Sequence, residues 1–186
     1  MNAAGKAMPP GELRRREPMS AHTSWRVGGP ADLYYIPAGI ADLQVFLAEL
    51  PSGTPVFFLG LGSNLLVRDG GIRGAAIALH GALTGLERTS ETTVRAEAGL
   101  SCAKLARACT AWGLGPAAFF AGIPGTVGGA LAMNAGAYGG ETWTHVERVE
   151  TIDRAGEPHE RARSEYTIGY RSVAGPAQEW FTAALR

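Results

Sequence analysis

The chain has 186 residues, with 17 Lys or Arg against 17 Asp or Glu, a formal charge of zero and two cysteines. A neutral chain without a basic, aromatic-interleaved stripe excludes a nucleic-acid footprint, and without a long apolar run it excludes a membrane-spanning helix. The length suits one domain or two small lobes whose core needs no disulfides, and the cytoplasm is the default expectation.

Residues 1–18 combine small residues, Pro9-Pro10 and the basic run Arg14-Arg15-Arg16. With no periodicity to bury, they read as a disordered leader, and folded structure is expected from Met19. Trp25–Val27 and Asp32–Ile36 read as short strands split by a turn at Gly28-Gly29-Pro30. Ile40–Leu50 reads as an amphipathic helix with Ile40, Leu43, Phe46, Leu47 and Leu50 inward. Val56–Leu59 and Ala75–Leu79 are candidate buried strands, closing a first lobe over 19–80. A second lobe over 81–186 is expected to hold strands near Thr92–Ala98, Val146–Ile152, Glu157–Arg161 and Glu179–Leu185. Its helix runs from an N-cap at Ser101 to Trp112, with Gly113 as terminator. Cys102 and Cys109 fall on the inward face of that helix with Leu105, which makes them small buried hydrophobes. His22, His80, His145 and His159 have no helical-spacing partner, so no metal site is expected. Strands in runs, outnumbering helices, give an α+β class.

Two glycine-rich runs remain, one in each lobe. The first is Gly60-Leu61-Gly62-Ser63-Asn64-Leu65-Leu66-Val67, and the second runs from Gly122-Ile123-Pro124-Gly125-Thr126-Val127-Gly128-Gly129 through Asn134-Ala135-Gly136 to Gly140. Glycine lets backbone N–H groups converge on an anion, and Ser63, Asn64 and Thr126 add side-chain donors. A diphosphate pinched between the lobes is the simplest reading. The Rossmann fingerprint fails, because Leu65 holds the third glycine position and an extended segment follows in place of a helix. A branched residue at Gly62 or Gly125 is accordingly expected to cost ligand affinity before it costs the fold.

In their order, four motifs resemble the UDP-N-acetylenolpyruvoylglucosamine reductase (UDP-N-acetylmuramate dehydrogenase) family. They are His22-Thr23-Ser24-Trp25-Arg26-Val27-Gly28-Gly29-Pro30-Ala31, the two glycine runs, and Ile168-Gly169-Tyr170-Arg171-Ser172. The resemblance implies a two-lobed FAD-binding domain of the vanillyl-alcohol oxidase type. It implies a reaction in which NADPH reduces FAD and the flavin reduces the enolpyruvyl ether of a UDP-amino sugar, a step of peptidoglycan precursor synthesis. It also implies roles: Gly60, Leu61, Gly62, Ser63, Asn64, Leu65, Gly122, Ile123, Gly125, Thr126, Gly128, Gly129, Asn134 and Gly136 on the cofactor, Tyr170 and Arg171 on the substrate, and Arg171 in catalysis. Some relatives tether FAD through a histidine or cysteine in the first loop. This loop has neither, so the flavin is expected to be non-covalent. The family's third, substrate-binding domain, with its Gly-Ser-x-Phe-x-Asn-Pro type motif, has no counterpart here, so the chain is expected to be an N-terminal portion that is inactive by itself. Two alternatives stand beside this one: an FAD-dependent oxidase or dehydrogenase acting on another substrate, and a non-catalytic nucleotide-binding module.

Overall fold

The computed structural model describes residues 11–185. The first lobe comprises β1 (Glu12–Pro18), β2 (Pro30–Ile36), α1 (Ile40–Glu49), β3 (Val56–Leu59) and β4 (Ile72–Ala78), and its sheet runs β1-β2-β4-β3. β2 and β3 both lie parallel to β4, while β1 adds antiparallel at the edge. The helix α1 covers one face with Leu43, Phe46 and Leu47, and Tyr35 stacks on Phe46 at 3.8 Å between ring centroids.

The second lobe holds β5 (Leu86–Arg88), β6 (Val94–Glu97), α2 (Cys102–Ala111), α3 (Val127–Ala132), β7 (Gly136–Ala137), β8 (Gly140–Glu141), β9 (Arg148–Asp153), β10 (Pro158–Ala162), β11 (Thr167–Gly169), β12 (Ser172–Ala174) and β13 (Glu179–Leu185). Its five-stranded antiparallel sheet runs β10-β9-β13-β6-β5, with β7-β8 and β11-β12 as separate hairpins. The helices α2 and α3 pack on it through Leu105, Cys109 and Leu131, with Trp143 from the segment after β8 in the same core, and the Trp143 indole N–H donates to Leu131 O at 2.8 Å. Burial pushes the Cys102 thiol up to about 12, as a structural and unreactive sulfur requires. The class is α+β.

The lobes share a core in which Ala98 and Ile152 meet Leu43, Leu47 and Ile77. Arg154, from the second lobe, donates to Leu47 O at 2.9 Å and Pro51 O at 2.6 Å, placing a cation at the C-terminal end of α1. Phe58 stacks on Trp180 across the same seam at 5.0 Å.

Three expectations are corrected. Residues 12–18, assigned to a disordered leader, form β1, while residues 1–10 lie outside the described residues. A charged edge strand can be held by its ladder to β2 and one half-buried apolar residue, Leu13, so hydrophobic periodicity does not reveal it. Trp25–Val27 is a turn: Arg26 sits at φ +54° and Thr23 Oγ1 donates to Val27 O at 3.1 Å, which draws the chain out of strand geometry. Ile40 opens α1 at 40% exposure, and the buried place beside Leu43 goes to Asp42, whose Oδ2 accepts from Tyr35 Oη and Ala38 N.

Candidate functional site

The first glycine run follows β3 directly. Among the described residues, no backbone acceptor is met by the N–H groups of Leu61, Gly62, Ser63 or Asn64, although Gly62 is buried. Four successive amides left open, one of them out of water, form a donor cluster that an anion can satisfy. Gly62 stands at φ +66°, and a Cβ there would overlap the carbonyl oxygen of His22. The loop is closed from behind by Ser24 N donating to Gly62 O at 3.2 Å.

The second run behaves differently. Thr126 caps α3, its Oγ1 accepting from Gly129 N at 3.4 Å. The amides of Gly125, Val127 and Gly128 donate to Ile123 O, Leu100 O and Ala98 O, all at 2.8–2.9 Å. This run therefore offers close backbone approach more than donors. Gly125 shows it best: a Cβ there would meet nothing nearer than Ile123 Cγ2 and Ser63 Oγ, both at 3.8 Å, so the position opens between the two loops. Gly128 serves packing, with Ala98 Cβ 2.9 Å from where its own Cβ would stand.

The two runs face each other across a cleft of about 430 Å³. Gly60, Leu61, Gly62, Ser63, Asn64 and Leu65 line one wall. Gly122, Ile123, Gly125, Thr126, Gly129 and Gly136 line the other, and Arg171 closes an edge. Arg171 lies in the two-residue turn between β11 and β12 at φ +50°, and its Nη2 donates to Asn64 Oδ1 at 3.1 Å. Gly128, Asn134 and Tyr170 are not on this lining. Tyr170 is 87% exposed beside Arg171. Asn134 is buried and turned inward, with its amide engaged by Glu141, Gly169 and Trp143.

Sequence reasoning missed a second cleft of about 400 Å³ that shares Phe58, Leu59, Gly60, Thr126, Gly129 and Ala132 with the first. Its walls add Tyr166, Val173, Trp180 and Phe181, aromatic and apolar residues far along the chain from Phe58, Leu59 and Gly60, so no local pattern marks them. Burial pushes the Tyr166 phenol up to about 12, keeping it neutral in this seam. Together the clefts join a donor-rich loop to an aromatic slot.

Glu179 braces that seam: its carboxylate accepts from Arg161 Nε at 3.0 Å and Thr151 Oγ1 at 2.7 Å, tying β13 to β10 and β9. The Arg161 guanidinium holds the Glu179 carboxyl below the usual carboxylate range, and the Thr151 hydroxyl adds to that against the cost of burial. Its folded pKa is depressed, so its contribution is present above the unfolded value near about 4.3 and is lost as pH falls through the folded value. Glu179→Gln is expected to cost about 1–3 kcal/mol in urea denaturation at pH 7 and less at pH 3.5, which lies below the unfolded value. An equal difference at both values would show that the ion pair contributes nothing.

Comparison with known proteins places this geometry. The chain is 57% identical, over 100% of its length, to the UDP-N-acetylenolpyruvoylglucosamine reductase of Alkalilimnicola ehrlichii, and 53% identical over 98% to that of Methylococcus capsulatus. It spans 62% and 60% of those two relatives. The crystal structure of the Thermus caldophilus reductase superposes with a TM-score of 0.78 at 30% identity, covering 95% of this chain and 62% of that one. The 6-hydroxy-D-nicotine oxidase of Arthrobacter nicotinovorans shares the fold, with a TM-score of 0.69 at 15% identity over 99% of this chain and 43% of its own. The FAD binding domain model matches residues 31–161, a span that takes in both glycine runs, and the chain belongs to that family of FAD binding domains.

Proposed function

We propose that this chain is the flavin-carrying part of a cytoplasmic, NADPH-dependent reductase that converts the enolpyruvyl ether of UDP-N-acetylglucosamine to UDP-N-acetylmuramate for peptidoglycan precursors. The observation that carries the reading is the single cleft bringing both glycine runs and Arg171 together. The identity to named reductases supports the substrate class.

The residues present fit FAD. The open amides of Leu61–Asn64 would hold its diphosphate with Ser63 and Thr126, and the clear space at Gly125 would let the ligand lie against the backbone. Leu65, Gly60, Gly122, Ile123, Gly129 and Gly136 would wall it, and the aromatic slot beside Phe58 and Trp180 would take its apolar nucleoside end. Bound FAD supplies two-electron transfer between NADPH and the substrate's double bond. Arg171 would hold the substrate carboxylate with a planar, permanently charged fork and stabilise the negative charge that develops beside it, with Tyr170 at the same tip as a neighbouring contact. Gly128 would act on the cofactor only through the backbone it shapes, and Asn134, off the cleft lining with its amide spent on Glu141, Gly169 and Trp143, would take no part in holding it.

No His or Cys stands in the first loop, so the flavin should be released by acid precipitation of the loaded protein. Yellow chromophore that stays with the pellet, or ADP that binds as tightly as FAD, would overturn the reading.

A further inference from the structure

The hairpin β11-β12 that carries Arg171 has three residues in each strand and, among the described residues, pairs with no other strand. Such a hairpin is not stable by itself, so its tip is placed by whatever grips it. Its base is gripped by packing: Tyr166 lies against Trp143 at 4.8 Å and Phe181 at 5.6 Å, and Ile168 and Val173 rest on the core of the second lobe. Among the described residues its tip is tied by Arg171 to Asn64 and by Asn134 to Gly169 O.

Asn134 is built for such a grip. It follows α3 at φ +39°, a conformation Asn tolerates better than most residues, and is 4% exposed. Its Oδ1 accepts from Trp143 N at 3.1 Å, fixing the amide to the core. Its Nδ2 then donates to Glu141 Oε2 at 3.0 Å and to Gly169 O at 3.3 Å. Gly169 is the last residue of β11, in register with Ser172 across the turn, so the bond lands on the residue before Tyr170-Arg171. We propose that Asn134 is a positioning residue for Arg171, holding the root of its turn so that the guanidinium lies at the edge of the cleft beside Asn64. This rests on the reading of Arg171 as the group that holds the substrate carboxylate.

Asn134→Asp is the discriminating variant. It keeps the acceptor for Trp143 N and removes both donors, setting a carboxylate against Glu141 and Gly169 O. Asn134→Gly accompanies it, since glycine accepts φ +39° and removes the side chain altogether. In the flavin-loaded chain, hydrogen exchange by mass spectrometry should show amides of 167–174 exchanging about tenfold faster, with those of α2 and the flavin affinity within twofold of the parent. In a chain of the relatives' full length, the KM for the enolpyruvyl sugar should rise about tenfold while the KM for NADPH stays put. A merely structural residue would move both KM values and the exchange of α2.

Unchanged exchange in the hairpin overturns the proposal, as does faster exchange spread evenly through the lobe. Arg171→Lys, assayed alongside, separates the two layers. If Arg171→Lys raises the KM for the sugar and the Asn134 variants do not, Asn134 has no positioning role. If Arg171→Lys leaves that KM unchanged, the carboxylate reading fails and the positioning role falls with it.

Discussion

Gly125→Val is expected to abolish measurable flavin binding, a loss of about a hundredfold or more (~2.8 kcal/mol), with little change in thermal midpoint. Two features make this variant informative. Gly125 has no left-handed backbone requirement, and a Cβ on it would meet no atom closer than 3.8 Å. The added side chain therefore stands in the space between the loops where the ligand would lie, without pressing on protein. Gly62→Val should behave in the opposite way. Its φ of +66° costs a non-glycine residue roughly 1–2 kcal/mol, and its Cβ would collide with backbone at His22, which adds about 1–3 kcal/mol of overpacking. The midpoint should fall by roughly 4–20 °C at the ~2–4 °C expected per kcal/mol for a domain of this size. Flavin fluorescence titration and scanning calorimetry on the two variants provide the comparison. Parental affinity in Gly125→Val would remove Gly125 from the cradle, and a stable, flavin-free Gly62→Val would show that its φ and His22 contact are not limiting.

The contrast between those glycines marks where the sequence stops being readable. Both sit in Gly-rich runs after apolar segments, and from the sequence both were expected to trade affinity before fold. What separates them is a carbonyl from His22, forty residues upstream of Gly62, which no local pattern reports. The helix α2 was legible for the converse reason: its cap, Ser101, bonds Lys104 N within one turn, and its buried face is set by residues three and four apart. Strand β3 and the loop after it were legible too, because apolar residues running into Gly-x-Gly constrain only themselves. Asn134 was expected on the cofactor, yet its amide is spent on Glu141 in β8, on Trp143 just after it and on Gly169 at the end of β11. The donor balance was equally hidden. Glycine content alone cannot tell that the amides of Val127 and Gly128 are used on Leu100 and Ala98 while those of Leu61–Asn64 stay open.

Arg171→Lys, in a chain of the relatives' full length, is expected to lower kcat/KM for the UDP-enolpyruvyl sugar by about a hundredfold to a thousandfold while flavin stays bound. The physical ground is the head group. A guanidinium can meet a carboxylate with two parallel donors and still reach Asn64, whereas an ammonium is a point charge that cannot hold both directions at once. The substitution leaves the backbone question untouched, because Lys and Arg carry the same cost at φ +50° and neither relieves it as glycine would. The flavin loop should be unaffected, since Asn64 loses one donor to its Oδ1 and the open amides of Leu61–Asn64 do not depend on Arg171. Steady-state NADPH oxidation with the sugar, read beside the flavin content of the same preparation, separates loss of chemistry from loss of cofactor. Unchanged turnover would reduce Arg171 to an exposed residue tethered to Asn64. A fall in flavin content matching the fall in rate would instead make the Arg171 to Asn64 bond a support for the cradle, with the substrate carboxylate held elsewhere.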